Sequence, residues 1–202
     1  YNIVPLFFVG AGIHIDSYTR ISDKLLDVAN EKYTYHYEYS KKYGFSDKNY
    51  VVNGLSLNFI YDTRDNLINT NNGLYLNLNY RFNPNLFRNQ QLSSSLLIES
   101  RYFIPISKTN KQHVFGFWAY GQFLVSGKLP YLNLPAIGWD QNSRSGKGYI
   151  QGLFRGTNLM FFEGEYRFPI TKNQMISGTV FTNVTTASNL DNNFKLFESI
   201  QP

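Results

Sequence analysis

The sequence contains no cysteine, which excludes a disulfide framework and any thiolate-bound metal. It leaves the redox compartment open, an oxidising periplasm or cell surface included. Nor does it hold the roughly 20 mostly apolar residues in a row that a membrane-spanning helix needs, and its mean hydropathy is slightly negative. That excludes a helical membrane protein but not a barrel, whose strands are only about ten residues long and apolar on one face. Charge is scarce, at 16% of residues, and the net +5 comes from basic side chains scattered singly. No Lys/Arg block of the kind nucleic acid demands is present, so no nucleic-acid partner is expected.

Patterns that carry chemistry are missing too. His14, His36 and His113 are far apart and share no metal-ligand spacing. No serine sits in a Gly-x-Ser-x-Gly elbow, and Gly146-Lys147-Gly148 lacks the strand before it and the Ser/Thr after it that a phosphate-binding loop requires. The expectation is no catalytic residue, no metal, no cofactor and no enzyme activity. The chain opens on Tyr1 with no secretion signal, so it reads as cut or processed.

What is abundant is aromatic: 17 Phe, 16 Tyr and 2 Trp, 17% of the chain, a composition that favours pleated sheet. Asparagines cluster at positions such as Asn69, Asn71 and Asn72, where tolerance of left-handed backbone marks turns. Residues 73–82 alternate strictly, Leu74, Leu76, Leu78, Tyr80 and Phe82 on one face and Tyr75, Asn77, Asn79 and Arg81 on the other. Residues 54–62 repeat the form with Leu55, Leu57, Phe59 and Tyr61 against Ser56, Asn58 and Asp62. Further strands read at 3–18, 93–106, 113–127, 158–170 and 175–188, seven in all. Connections 107–111 and 171–174 are tight, whereas 20–49 and 128–157 are long, as in an outer-membrane barrel with its long loops outside the cell. One helix is expected in loop 20–49, capped by Ser22 and carrying Ile21, Leu25, Ala29 and Tyr33 at helical spacing; the alternative is an irregular loop.

A weak internal repeat matches Glu99, Arg101, Tyr102, Pro105, Ile106, Ser107 and Lys108 with Glu165, Arg167, Phe168, Pro169, Ile170, Thr171 and Lys172. In each copy acid and base are two residues apart, hence on one face. Charge facing lipid is costly near the midplane, so that face should be a lumen. A soluble β-sandwich is the competing architecture; loops of about thirty residues between tight turns and charge on inner positions argue against it.

The segments Tyr61 to Asn66 with Gly73 to Tyr75, Gly146 to Gly156, and Glu165 to Pro169 together resemble the bacterial surface antigen family of outer-membrane barrels, the superfamily of the BamA/TamA insertases. Tyr61-Asp62-Thr63-Arg64-Asp65-Asn66 with Gly73-Leu74-Tyr75 is similar to that family's strand, charged turn and glycine-led return. Gly146-Lys147-Gly148-Tyr149 through Phe154-Arg155-Gly156 resembles the Arg-Gly-aromatic tip of the loop that folds back into the family's lumen. Glu165-Tyr166-Arg167-Phe168-Pro169 is similar to the Glu-bearing strand that follows it.

The resemblance implies an all-β, antiparallel transmembrane β-barrel. About seven to eight strands of a roughly sixteen-stranded barrel would lie in residues 1–202, with 128–157 folding back into the lumen. Residues 194–202 would begin an eighth strand, and an odd count implies a fragment or closure by another chain. Within the loop-lock motif Lys147, Gly148, Tyr149 and Arg155, the tip cation would pair with a carboxylate of the lumen wall, where Glu165, Arg167 and Asn183 are the expected partner residues. Lys147 replaces the family's Arg and Asn183 its Asp; both changes should loosen the lock, with Glu165 the principal anion. Asp62, Arg64 and Asp65 form either a solvated turn or one that orders the periplasmic connection.

The implied function is assembly, insertion or translocation of outer-membrane proteins in a Gram-negative outer membrane. Implied partners are outer-membrane lipid and lipopolysaccharide, unfolded barrel clients, and periplasmic or lipoprotein accessory subunits. The alternative is a passive barrel that anchors a fused soluble domain or conducts small solutes.

Overall fold

A strand whose neighbours on both sides are strands must satisfy its backbone across them, and alternation in the sequence decides which side chains face which side. The computed structural model, which describes residues 2–4, 6–86, 91–107, 110, 112–140, 143–171, 173, 175–191 and 195–200, realises this as one antiparallel sheet. Its strands are β1 (Asn2–Val4), β2 (Phe7–Tyr18), β3 (Tyr50–Asp62), β4 (Gly73–Asn83), β5 (Ser93–Pro105), β6 (Val114–Gly127), β7 (Asn158–Pro169) and β8 (Ser177–Ala187), each paired with the next. Seven of them are long, and together they form a partial β-barrel. No helix is long and apolar enough to cross a membrane among the described residues.

Register fixes the two faces. Cα partners Asp62↔Tyr75↔Arg101↔Trp118↔Glu163↔Asn183 run across six strands as one row, and Asn79↔Leu97↔Gln122↔Leu159↔Ala187 as another. Their side chains share the inner face. Leu55, Leu57, Leu76, Leu78, Tyr80, Phe82, Tyr102, Phe115, Phe117 and Val180 lie on the outer face and are exposed, the arrangement an apolar solvent such as lipid stabilises. Ile60, Leu97 and Phe181 are apolar residues on the inner rows.

Three sequence expectations change. The strand expected over 3–18 is a hairpin: the chain turns at Leu6, with φ of 75°, and β1 folds back on β2. Pro5 has no N–H to offer a continuous ladder there. The helix of loop 20–49 is not the Ser22-capped segment. Asp27 closes a 3₁₀ turn (Val28–Asn30), accepting from Asn30 N at 3.2 Å, and Leu25 is 82% exposed, so the spaced apolar residues share no packed face. The helix is α1 (Tyr35–Tyr43), with Thr34 accepting from Tyr37 N and Gly44 ending it at φ 73°. Residues 195–200 form turns rather than an eighth long strand; Phe197 N donates to Thr186 Oγ1 on β8 instead. Lys108, Lys172, Phe194 and Pro202 lie outside the described residues.

Two cores sit at the loop end. Tyr39, Phe45, Tyr50, Val52, Leu129 and Leu134 pack α1 onto the start of loop 128–157. Tyr120, Ile137, Leu159 and Phe161 pack that loop against the inner wall of β6 and β7, with Trp118, Tyr149 and Phe154 around them.

A lumenal loop lock and a braced turn as candidate functional site

Loop 128–157 packs on the inner face of β6 and β7 and is tied together by hydrogen bonds of its own backbone. Ile137 N donates to Phe154 O at 2.9 Å, Gly152 N to Ile137 O at 2.8 Å and Gly156 N to Pro135 O at 3.1 Å, which makes a small internal hairpin. Asp140 then ties the approach to the tip, accepting from Ser145 N at 2.7 Å and Arg144 N at 3.0 Å. Gly146 and Gly148, at φ 75° and 91°, turn the chain on either side of Lys147. A Cβ on Gly146 would stand 2.3 Å from Ile137 Cγ1, so the tip can fold onto the first arm of its own loop only with glycine there.

Lys147 Nζ reaches Glu163 Oε1 on β7 at 2.7 Å and sits 4.3 Å from the ring centre of Phe181 on β8. The Glu163 side chain is 7% exposed and that of Lys147 37%. The partner expected from sequence was Glu165. It is instead taken by Arg167, two residues along the same face. Glu163 and Glu165 occupy successive inner positions, so the depth of the loop decides between them. Beside the pair, Glu163 Oε2 and Asn183 Oδ1 are buried without a hydrogen-bond partner among the described residues. Trp118 Nε1, Tyr120 OH and Thr185 Oγ1, on the same and the adjacent row, share that condition. The site thus presents more hydrogen-bonding capacity than the single ammonium of Lys147 uses.

Tyr149 meets Phe154 edge-on at 5.2 Å and packs beside the inner core. Arg155 does not reach the carboxylates of the wall. Its Nη1 donates to Tyr131 O and Leu134 O at 2.8 and 3.2 Å, and the guanidinium stands 5.0 Å from the Tyr131 ring and 4.6 Å from that of Trp139. It braces the base of the loop.

At the opposite end, Asp62 accepts from Arg64 Nη2 at 2.7 Å and Nε at 2.9 Å, a bidentate pair, and also from Arg64 N. Asp65 accepts from Asn71 N and Asn72 N. Burial alone would raise the Asp65 pKa, but these backbone donors outweigh it and hold the carboxyl below its ordinary value. Gly73, at φ 125°, passes so close to Thr63 that a Cβ would lie 2.5 Å from Thr63 O. The segment 63–72 is therefore held by hydrogen bonds at both of its ends. It is also fastened from across the sheet, because Arg167 Nη1 on β7 donates to Thr70 O at 3.1 Å.

Between turn and loop runs a stack that sequence reasoning missed. Arg64 lies 4.5 Å from the Tyr75 ring, Arg101 lies 5.8 Å from Tyr75 and 4.9 Å from Trp118, and Trp118 meets Phe161 edge-on at 5.0 Å. Glu99 neutralises Arg101 at 2.6 Å in the same i, i+2 geometry as Glu165 and Arg167. The acid-base repeat thus forms two like pairs on the inner face. Its only sequence signal for the stack was an aromatic or arginine at the inner position of each strand.

An open antiparallel sheet that is apolar outside, charged and aromatic inside, with a long loop seated on its inner wall, defines an outer-membrane type of β-barrel. The family model described as the Omp85 superfamily domain matches residues 8–202, and the chain belongs to that superfamily. It is an outer-membrane family concerned with protein assembly and translocation. No curated protein and no solved structure matches the chain.

Proposed function

We propose that this chain forms the barrel wall of a BamA/TamA-type protein that inserts client proteins into the outer membrane or exports them across it, without enzymatic chemistry. The observation that carries the reading is the tip of loop 128–157 seated in the lumen, with Lys147 on Glu163. Such a loop makes the β6–β8 wall a rigid platform, while clients pair by backbone hydrogen bonds with a sheet edge elsewhere in the barrel. The apolar outer face would contact outer-membrane lipid and lipopolysaccharide in a multi-pass barrel. Periplasmic or lipoprotein subunits would dock at the short-turn side, where segment 63–72 is held rigid.

A passive solute conduit is the weaker reading. The loop and the turn tied to Arg167 both occupy inner-wall space that an open pore would leave to water. The test is depletion of the full-length protein from its own cells, followed by heat-modifiability of the resident outer-membrane barrels. Accumulation of unfolded barrels is expected. Normal barrels with altered solute uptake, or with loss of a surface-anchored domain, would overturn the assembly reading.

A further inference from the structure

At the loop-side mouth, α1, the 3₁₀ turn Tyr131–Asn133, the base of the lumenal loop and residues 189–191 line an open cleft of about 520 Å³. That size falls in the usual range for small-molecule sites. Neither the Lys147–Glu163 pair nor segment 63–72 lines it, while loop 128–157 contributes Leu153 and Arg155. Three of its features point to one ligand chemistry.

The first is an unneutralised cation. Arg155 lines the cavity with its guanidinium plane fixed by two backbone carbonyls and by Tyr131 and Trp139. Among the described residues it forms no ion pair. Two of the nearby carboxylates are engaged, Asp191 by Lys42 at 2.9 Å and by the Tyr43 hydroxyl, Asp16 by Arg81 at 2.7 Å and by Asn133, and Glu38, which also lines the cavity, forms no ion pair with Arg155. Burial pulls the Arg155 pKa below its ordinary value, the mark of a charge short of compensation.

The second is a platform. Tyr35 is 73% exposed and shares the cavity wall with Tyr131 and with Leu153, so a flat body can lie against rings. The third is Glu38 in the lining, an exposed carboxylate that offers acceptors to hydroxyl groups and would repel a second negative charge.

We propose that this cavity binds a small organic anion, a carboxylate or phosphate ester borne on a hydroxylated ring, as in an acidic or phosphorylated sugar. The anion pairs with the pre-set fork of Arg155, the ring lies on Tyr35, and hydroxyls donate to Glu38. The site lies apart from the Lys147–Glu163 pair, and the proposal does not rest on the assembly reading.

The test is calorimetric titration of the intact protein in detergent with galacturonate, glucose 6-phosphate, galactose and inorganic phosphate. Saturable binding of both anionic sugars is expected, with galactose weaker by about tenfold or more. Arg155→Lys keeps the charge and loses the fork, so it should weaken both anionic sugars. Because that change also touches the loop base, Tyr35→Ala is the second variant, at an exposed ring outside both cores; it should weaken the sugars about tenfold and leave inorganic phosphate unchanged. No saturation by either anionic sugar, equal binding of galactose, or an unaffected Tyr35→Ala variant would each overturn the proposal.

Discussion

Replacing Lys147 by Arg should tighten the loop lock, and the size of the effect can be worked from the geometry. In the native chain one ammonium meets one oxygen of Glu163 at 2.7 Å, while Oε2 of the same buried carboxylate is without a partner among the described residues. A buried acceptor left unsatisfied costs about 1–3 kcal/mol. A guanidinium presents two parallel donors to a carboxylate, and its flat face can stack where Lys147 already sits over Phe181. Part of the gain is offset by fixing a broader head group, so a net tightening of about 1–2 kcal/mol is expected, roughly 5–30-fold in the ratio of docked to undocked loop. Hydrogen exchange of the backbone of residues 143–150, in the intact protein in detergent, reads that ratio directly. Protection should rise by the same factor in Lys147→Arg. It should fall in Lys147→Met, which strands the Glu163 charge. Unchanged or faster exchange in Lys147→Arg would refute the reasoning that the second oxygen is waiting for a donor.

Other changes bear on the remaining parts. Gly146→Ala places a Cβ against Ile137 at a positive φ and should cost about 1–3 kcal/mol, seen as faster exchange of the loop with the strands unaffected. Arg167→Met removes the tie to Thr70 O and leaves Glu165 without its cation; a cost of about 2 kcal/mol should appear as loosened exchange across 63–72, short of a fully buried pair because Glu165 keeps some water. Acidification should release α1. Burial, aided by Arg155 and opposed by Asp23 and Asp47, lowers the His36 pKa, so the folded state binds its proton less readily than the unfolded one. The stabilisation is complete above about pH 6.5 and is lost as pH falls through the lowered folded value. Exchange of residues 35–43 followed against pH checks this, and His36→Phe should flatten the profile.

The strands were legible because lipid on one side and a polar lumen on the other force a two-residue period, as in Leu74 to Phe82 and in the Glu99-Arg101 and Glu165-Arg167 pairs. The loop tip was legible through its two glycines around Lys147. Its partner was not: Glu163 and Glu165 lie on one face, and only the packing of Ile137, Tyr149 and Phe154 on the wall sets how deep Lys147 reaches. The helix was misplaced because spacing of Ile21, Leu25 and Ala29 outweighed the stronger local signals, Thr34 as cap and Gly44 as stop, that flank α1. Arg155 was grouped with the lock by proximity in sequence, whereas the loop hairpin points it to the mouth. The stack of Arg64, Tyr75, Arg101 and Trp118 depends on register across four strands, which no local pattern carries.

The central claim is that loop 128–157 is held in the lumen by charge pairing of Lys147 with Glu163. A charge-exchange cycle tests it most directly: Lys147→Glu, Glu163→Lys and the two together in the full-length protein, read by exchange of residues 143–150. Each single change should free the loop and the exchanged pair should restore most of the protection, whereas Lys147→Glu combined with Glu165→Lys should not. Restoration by the Glu165 exchange, or single changes that leave the loop protected, would contradict the account.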